Sequence, residues 1–299
     1  MAWRRLGHVY APRGERDFLV SHASVPFAER LDGTQVRIWF SPRDADNRSH
    51  IAWLVLDLAR PQQILDMAAS ASLGTGPLGA FDDCGAMMSW LTEHGGRRLY
   101  YIGWNTRGTV PFHVSIGMAE QASDGTWVRR PGPLLDRSLD DPWFCSNPCV
   151  LIESGAWRMW YLSGLGWEDV DGRASPSYQI CEARSDDGLQ WTARGRIAVP
   201  LEGDEFAIAR PAVLATPAGY LMWFSVRTRH RPYRLGAARS EDGRVWTRAA
   251  ELAELSPAAQ GWDSEMIAYP HVFEHAGERW MLYCGNGFGR TGFGLAIWE

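Results

Sequence analysis

"NPCVLIESGAWRMWYLSG" (147–164) decides how the chain is read. A Pro opens an apolar run, Ser154-Gly155 breaks it, and a second run rich in aromatic residues follows. That is the pattern of two strands around a tight turn. "RPAVLATPAGYLMWFSVR" (210–227) and "YPHVFEHAGERWMLYCGN" (269–286) repeat it. In all three a Pro (Pro148, Pro211, Pro270) precedes an aromatic (Tyr161, Phe224, Tyr283) by thirteen residues. "MMSWLTEHGGRRLYYIGW" (87–104) keeps that spacing from Met88 to Tyr101, and "VPFAERLDGTQVRIWFSP" (25–42) comes within one residue of it. The last four anchors fall 59 to 63 residues apart, so the chain is built from repeats.

A second motif alternates with the first: "SDGTWVRRPGPLLD" (123–136), "SDDGLQWTARGRIAVP" (185–200) and "SEDGRVWTRAAELAEL" (240–255). Each has a Ser, an Asp-Gly turn, then a Trp that opens a strand. A unit therefore reads strand, turn, strand, loop, strand, Asp-Gly turn, strand, and four strands per unit is the pattern of a propeller blade. The last unit stops after its third strand at "GFGLAIWE" (292–299), while "WRRLGHVYAP" (3–12) resembles the fourth-strand stretch "WTARGRIAVP" (191–200). The expectation is an all-β, single-domain, five-bladed β-propeller with four antiparallel strands per blade. Its ring would be closed by the N-terminal strand completing the last blade, leaving no open edge. The blades fall at roughly 13–75, 80–136, 141–200, 204–255, and 263–299 plus 3–12.

Composition narrows the function classes. The formal net charge is −5 with no run of like charge, which argues against nucleic acid or an anionic membrane as partner. All 30 basic residues are Arg, so lysine Schiff-base, pyridoxal-phosphate and P-loop chemistry are excluded. The N-terminal stretch has no apolar signal core, no run of 18 apolar residues occurs, and the five cysteines follow no metal-ligand spacing. A soluble cytoplasmic protein with reduced thiols is expected. The eight His are scattered, so no cofactor and no dedicated metal site are expected; a structural ion in the channel stays open.

"FDDCGAMMSW" (81–90), "YYIGWN" (100–105), "MWYLSG" (159–164), "FAIARPAV" (206–213) and "WDSEMIAYPHVF" (262–273) make the chain resemble the five-bladed propeller glycoside hydrolases, the group of arabinanases, β-xylosidases, invertases and levansucrases. More closely it resembles a branch of small cytoplasmic bacterial members whose genes accompany surface-polysaccharide or sugar pathways. The resemblance implies three carboxylates converging from the innermost strands on one mouth of the channel: a base or nucleophile, a tuning group and a Glu acid. The Asp that commonly precedes the blade-opening Pro in that group is replaced here by Asn147, Arg210 and Tyr269.

The repeat offers another way to place the acids. Asp83 lies five residues before Met88, Glu265 five before Pro270, Glu205 six before Pro211, and Asp141 and Asp263 seven before theirs; His22 lies four before Pro26. These entries to the innermost strands would face the mouth. Crowded carboxylates keep one protonated near neutral pH, as glycosidic cleavage requires. Asp83 is expected as base or nucleophile, Glu265 as acid, and Asp263 or Glu205 as tuning group. Asp82 would point the other way and be structural. Trp104 and Trp167, in the loops opening on the same face, are candidate sugar platforms, whereas Trp3, Trp127, Trp191 and Trp246 are read as packing. His22, Asn147, Arg210 and Tyr269 are further candidate substrate contacts. Arg210 could bind a carboxylate or phosphate or pair with an acid of the ring, with the ion pair favoured. The loop residues Arg48, Arg107, Arg173, Arg229 and Arg290 hint weakly at an anionic ligand.

Two functions follow. The first is a glycoside hydrolase-like enzyme cleaving or transferring a glycosidic bond in a small glycoside, nucleotide sugar or biosynthetic intermediate. The alternative is a non-catalytic carbohydrate-binding or scaffold propeller.

Overall fold

The computed structural model describes residues 2–299 and consists of short antiparallel sheets. Strand β1 (Trp3–Tyr10) is followed by a first group, β2 (Ser21–Arg30), β3 (Gln35–Arg43), β4 (Ala52–Asp57) and β5 (Ile64–Met67). A second comprises β6 (Gly85–Glu93), β7 (Arg97–Thr106), β8 (Phe112–Gln121) and β9 (Trp127–Arg129). The third is β10 (Cys145–Glu153), β11 (Ala156–Val170), β12 (Arg173–Ser185) and β13 (Thr192–Val199), and the fourth β14 (Glu205–Thr216), β15 (Gly219–Thr228), β16 (Arg234–Ser240) and β17 (Thr247–Arg248). Within each group neighbours in sequence pair antiparallel, and a single parallel bridge, Tyr178 to Ala207, joins the third group to the fourth. The last sheet holds β18 (Ala268–His275), β19 (Glu278–Cys284) and β20 (Phe293–Trp298). Its fourth strand is β1, antiparallel to β20 with Trp3 opposite Trp298.

The N-terminal stretch thus takes the expected place in the last sheet. The circle itself closes differently from the expectation. The first strands pack in sequence, β2 on β6, β6 on β10, β10 on β14, β14 on β18, and β18 returns to β2. That last seam is side-chain packing rather than a hydrogen-bonded ladder: the Phe27 and His271 rings meet tilted at 36° with centroids 4.3 Å apart. The outer strand of each sheet keeps a free edge, so no single strand seals the ring.

The Ser-x-Asp-Gly turns work as sequence chemistry demands. The Ser185 hydroxyl accepts the Gly188 N–H at 2.9 Å while Asp187 Oδ1 accepts those of Leu189 and Gln190; Ser240 and Asp242 repeat the arrangement with Gly243, Arg244 and Val245. Gly188 (φ 73°) and Gly243 (φ 68°) are left-handed, and a Cβ at either would lie under 3 Å from the guanidinium of Arg98 or Arg158. Those arginines reach in from the preceding unit: Arg98 Nη1 donates to the Asp187 carbonyl and Arg158 Nη1 to that of Asp242. The turn residues therefore form the seams between units as well as the hairpins. Large aromatics fill the interior, with Trp160, Trp223, Tyr100, Tyr101, Tyr161 and Tyr283 fully buried. Trp3 is buried too, its indole donating to the Leu252 carbonyl at 2.8 Å as that of Trp223 also does.

Candidate functional site

All five first strands carry a bulge at the anchor, one extra residue against the second strand. In four of them the ladder skips the X-Pro pair, and the residue before Pro is left-handed: Val25 (φ 51°), Asn147 (φ 47°), Arg210 (φ 57°) and Tyr269 (φ 55°). A residue preceding Pro is normally extended, and a bulky side chain at positive φ costs about 1–3 kcal/mol. Met88 replaces Pro in the second unit, and Met87 is not left-handed. The fold stores strain at one level of the ring, and the side chains there are Val25, Asn147, Arg210 and Tyr269.

Arg210 runs into the axis. It is 0 % exposed and donates across the ring to the carbonyls of Ser89 (2.8 Å) and Pro26 (3.2 Å), from the second and first units. No carboxylate lies within ion-pair distance among the described residues, so the ion pair favoured from sequence is not made. Burial lowers the guanidinium to about 10, still charged at neutral pH. His271 is buried beside it, and burial followed by the Arg210 charge holds its imidazole well below the usual value, so it is neutral. Arg210 thus bridges the fourth, second and first units at the centre of the ring of first strands and forms a floor there.

Around that mouth lie the starts of first and third strands and the ends of second strands. The Tyr269 hydroxyl is the hub: burial raises its pKa, and it lies in the fields of Tyr178, Arg227 and Arg43, from the third, fourth and first units. Its ring is 5.8 Å from that of Tyr233, whose hydroxyl is hydrogen-bonded to that of Tyr178. Arg227 Nη2 donates to the Pro176 carbonyl (2.7 Å) and its guanidinium lies 4.9 Å over the Phe206 ring. Arg43 donates to Asn47 (2.7 Å) and sits 5.9 Å over Trp104. Burial, then the charges of Arg43 and Arg290, lower His22 to about 4, so it too is neutral at pH 7. Trp104 is half-buried, its indole N–H on Ser49, and Trp167 packs against Phe112 and Phe144. The structure gathers His22, Tyr269 and Arg210 about the axis; for Asn147 it gives a buried side chain, 3.5 Å from the Ser146 hydroxyl.

The acids go elsewhere. Asp263 is 2 % exposed and held by Arg5 Nε (2.9 Å) and the Tyr283 hydroxyl (3.1 Å). Asp141 takes Arg194 Nη2 (2.9 Å), the Tyr161 hydroxyl (3.1 Å) and the Ser163 hydroxyl (2.6 Å). Asp82 takes Arg129 (3.2 Å) and the Tyr101 hydroxyl (2.9 Å). In the fourth unit Glu205 takes Arg248 Nη2 at 2.6 Å, with that guanidinium 4.9 Å over Phe224. One device recurs in four units: an acid entering the first strand, an aromatic 19 or 20 residues later, and an Arg two or three residues after the fourth-strand Trp. Burial, then the adjacent carboxylate, raises each Tyr hydroxyl, which stays a donor. Asp263 and Glu205, expected to tune catalysis, instead clasp first, second and fourth strands together. Asp263 and Glu265 both precede β18, and only Glu265 is exposed.

Asp83 braces its own loop, Oδ2 accepting the Gly79 N–H at 2.9 Å, while its buried Oδ1 has no partner. The Glu265 carboxylate makes no hydrogen bond among the described residues; its backbone N–H is held by Asn286. Sequence reasoning missed Arg43, Arg227, Tyr178 and Tyr233. It also missed the clasp arginines, although their fixed offset from the fourth-strand Trp was a signal. A cavity of about 410 Å³ lies away from the mouth, lined by Arg37, Trp39, Trp53 and Trp127.

A fold of this kind is shared with solved glycoside hydrolases. One described as "Glycoside hydrolase" aligns over 98% of this chain and 90% of its own with TM-score 0.74 and 17% identity. A thermostable family-43 glycoside hydrolase covers 97% and 91% with TM-score 0.68 and 15% identity. The sucrose-6-phosphate hydrolase from Lactobacillus gasseri covers 99% of this chain and 60% of its own with TM-score 0.67 and 11% identity. At such identities the likeness shows the fold alone. No family model matches the chain. Uncharacterized proteins MT1551 and Rv1502 of Mycobacterium tuberculosis (strains CDC 1551 / Oshkosh and ATCC 25618 / H37Rv) are each 42% identical over 304 residues, covering 100% of both chains. The chain belongs to their family.

Proposed function

We propose that the five four-stranded groups are the blades of a five-bladed propeller, bounded as the repeats suggest, and that its mouth recognises a small sugar-containing ligand. One observation carries this reading: the left-handed residues before the anchor prolines. Strain repeated at one level of the ring, displaying polar and aromatic side chains toward a floored axis, is a functional signature rather than a folding need. Tyr269, Tyr178 and Tyr233 offer hydroxyls, and Trp104 and Trp167 offer aromatic planes against which an apolar sugar face can pack.

Recognition is favoured over cleavage because two of the four acids expected at the mouth are consumed by clasps. A second reading, cleavage or transfer by Asp83 and Glu265, is supported by the carboxylate oxygens that each leaves without a partner. A panel of monosaccharides, nucleotide sugars and aryl glycosides separates the two. Recognition predicts that a sugar raises the melting temperature of the wild type and that Trp104→Ala and Tyr269→Ala lessen the shift. Cleavage predicts turnover of an aryl glycoside, lowered at least about a hundredfold by Asp83→Asn or Glu265→Gln in variants that melt normally. Neither a shift nor turnover across the panel would sink both readings.

A further inference from the structure

Many arginines withdrawn from solvent in this protein are paired: half-buried Arg5, Arg97, Arg129, Arg194 and Arg248 and buried Arg158 each meet a carboxylate. Half-buried Arg16 and Arg234, away from the axis, donate to backbone carbonyls instead. Arg43 and Arg227 are similarly half-buried, yet neither has a carboxylate within ion-pair distance among the described residues. Both lie at the mouth, at the ends of β3 and β15, where second strands finish, and Arg227 sits 5.8 Å over the Tyr233 ring that packs on Tyr269. Taking a guanidinium out of water without an anion is costly, and a fold with 35 acidic residues had the means to supply one. The acids that enter the first strands beside them are already held by fourth-strand arginines.

Other groups facing the same space add to the deficit. Burial first, then the charges of Arg43 and Arg290, lower the His22 imidazole to about 4, so it stays unprotonated at neutral pH. Burial also lowers Arg43 itself. Arg210 lies fully buried in the axis without an anion. The neighbouring Tyr178 and Tyr233 hydroxyls are hydrogen-bonded to each other, which leaves one O–H of the pair to donate to an oxyanion. The acids Asp83 and Glu265 pair with neither Arg43 nor Arg227 among the described residues, so they do not supply the missing anion.

We propose that the ligand carries an oxyanion, phosphate or carboxylate, seated between Arg43 and Arg227 over Tyr269. This rests on the mouth being the recognition site and adds the chemical class that it selects. Arg43 and Arg227 supply fork-shaped donors from the first and fourth units, so the acidic group fixes orientation while Trp104 and Trp167 remain available to the sugar.

The test uses the full chain and calorimetric titration with glucose, glucose 6-phosphate, glucuronate and inorganic phosphate. These are compared in the wild type, Arg43→Gln, Arg227→Gln, the charge-retaining Arg43→Lys and Arg227→Lys, and Arg4→Gln, which removes an exposed arginine paired with Glu299. The expected result is that an acidic sugar binds more tightly than glucose. Arg43→Gln and Arg227→Gln should each weaken it about tenfold to a hundredfold, the Lys variants less, and Arg4→Gln not at all. Which acidic sugar prevails tells phosphate from carboxylate. If glucose binds as tightly as its acidic counterparts and the Gln variants bind like wild type, the oxyanion seat is wrong while the sugar-binding mouth stands. If inorganic phosphate binds through Arg43 and Arg227 but no sugar adds affinity, the seat stands and the carbohydrate reading fails. No binding by any probe to the folded wild type overturns both.

Discussion

The clasps and the mouth use the same residue types to opposite ends. In the clasps of the second, third and fifth units a buried Asp, a Tyr hydroxyl and an Arg satisfy one another. At the mouth, a short distance along the same strands, Arg43, Arg210 and Arg227 meet carbonyls, amides and aromatic faces but no acid. The difference teaches that an acid near a channel mouth is not thereby part of its chemistry: the cation that reaches it first decides its role. Arg194→Met puts this to its harshest test. It strands Asp141, 0 % exposed, without its cation, and removing one partner of a buried pair costs about 3–5 kcal/mol. Arg227→Met removes no ion pair and should cost about 1 kcal/mol, for its bonds to Ser175 and Pro176. Denaturant midpoints for the two variants measure the contrast directly. Equal losses would erase the distinction between the regions.

The repeat made the four-stranded groups legible, because Pro, Gly, Asp-Gly and Trp each impose local backbone chemistry that survives in any context. The place of β1 was legible for the same reason, and Arg5 strengthens it: Trp3 and Arg5 stand to each other as Trp127 to Arg129 and Trp246 to Arg248. The roles of the acids were not legible. A spacing from the anchor tells where a side chain leaves the backbone, whereas the clasp joins residues up to 258 positions apart, Arg5 and Asp263. The aromatic thirteen residues after each Pro was visible as a spacing, but its hydroxyl partner was a tertiary fact. Nor could sequence show that Arg210 would cross the axis to two carbonyls rather than meet an acid. Positive φ before a Pro is contrary to that residue's local preference, so only the ring geometry reveals it.

A pH series on the wild type and His22→Gln isolates the electrostatics at His22 from those of other buried histidines such as His271. His22 titrates near 6.5 when unfolded and at about 4 in the folded chain, through burial and the charges of Arg43 and Arg290. Above pH 6.5 neither state is protonated and its contribution to stability is intact. As pH falls toward 4 the unfolded chain takes up a proton that the folded mouth refuses, so stability is lost, by about 2 kcal/mol at pH 5. His22→Gln removes that proton uptake, and its melting temperature should fall less than that of the wild type between pH 7 and 5. Parallel curves would mean that the cations at the mouth are more solvated than their burial implies.

The smallest expected effect lies inside the clasps. Three of the four present a Tyr hydroxyl to the acid; the fourth has Phe224, with Arg248 over its ring and Glu205 held by that arginine. Gly236 lies under Phe224 as Gly117 lies under Tyr101, so the two rings occupy equivalent seats on their third strands. Tyr283→Phe takes one hydrogen bond from buried Asp263 but leaves Arg5, and should cost about 1 kcal/mol. Phe224→Tyr brings a hydroxyl toward Glu205 and should gain up to about that amount, the sign reversing because an acceptor already in place acquires a donor. Thermal melts of the two variants read both signs in one experiment. If Phe224→Tyr destabilises as much as Tyr283→Phe, Glu205 does not stand where the aspartates stand, and its longer side chain serves Arg248 alone.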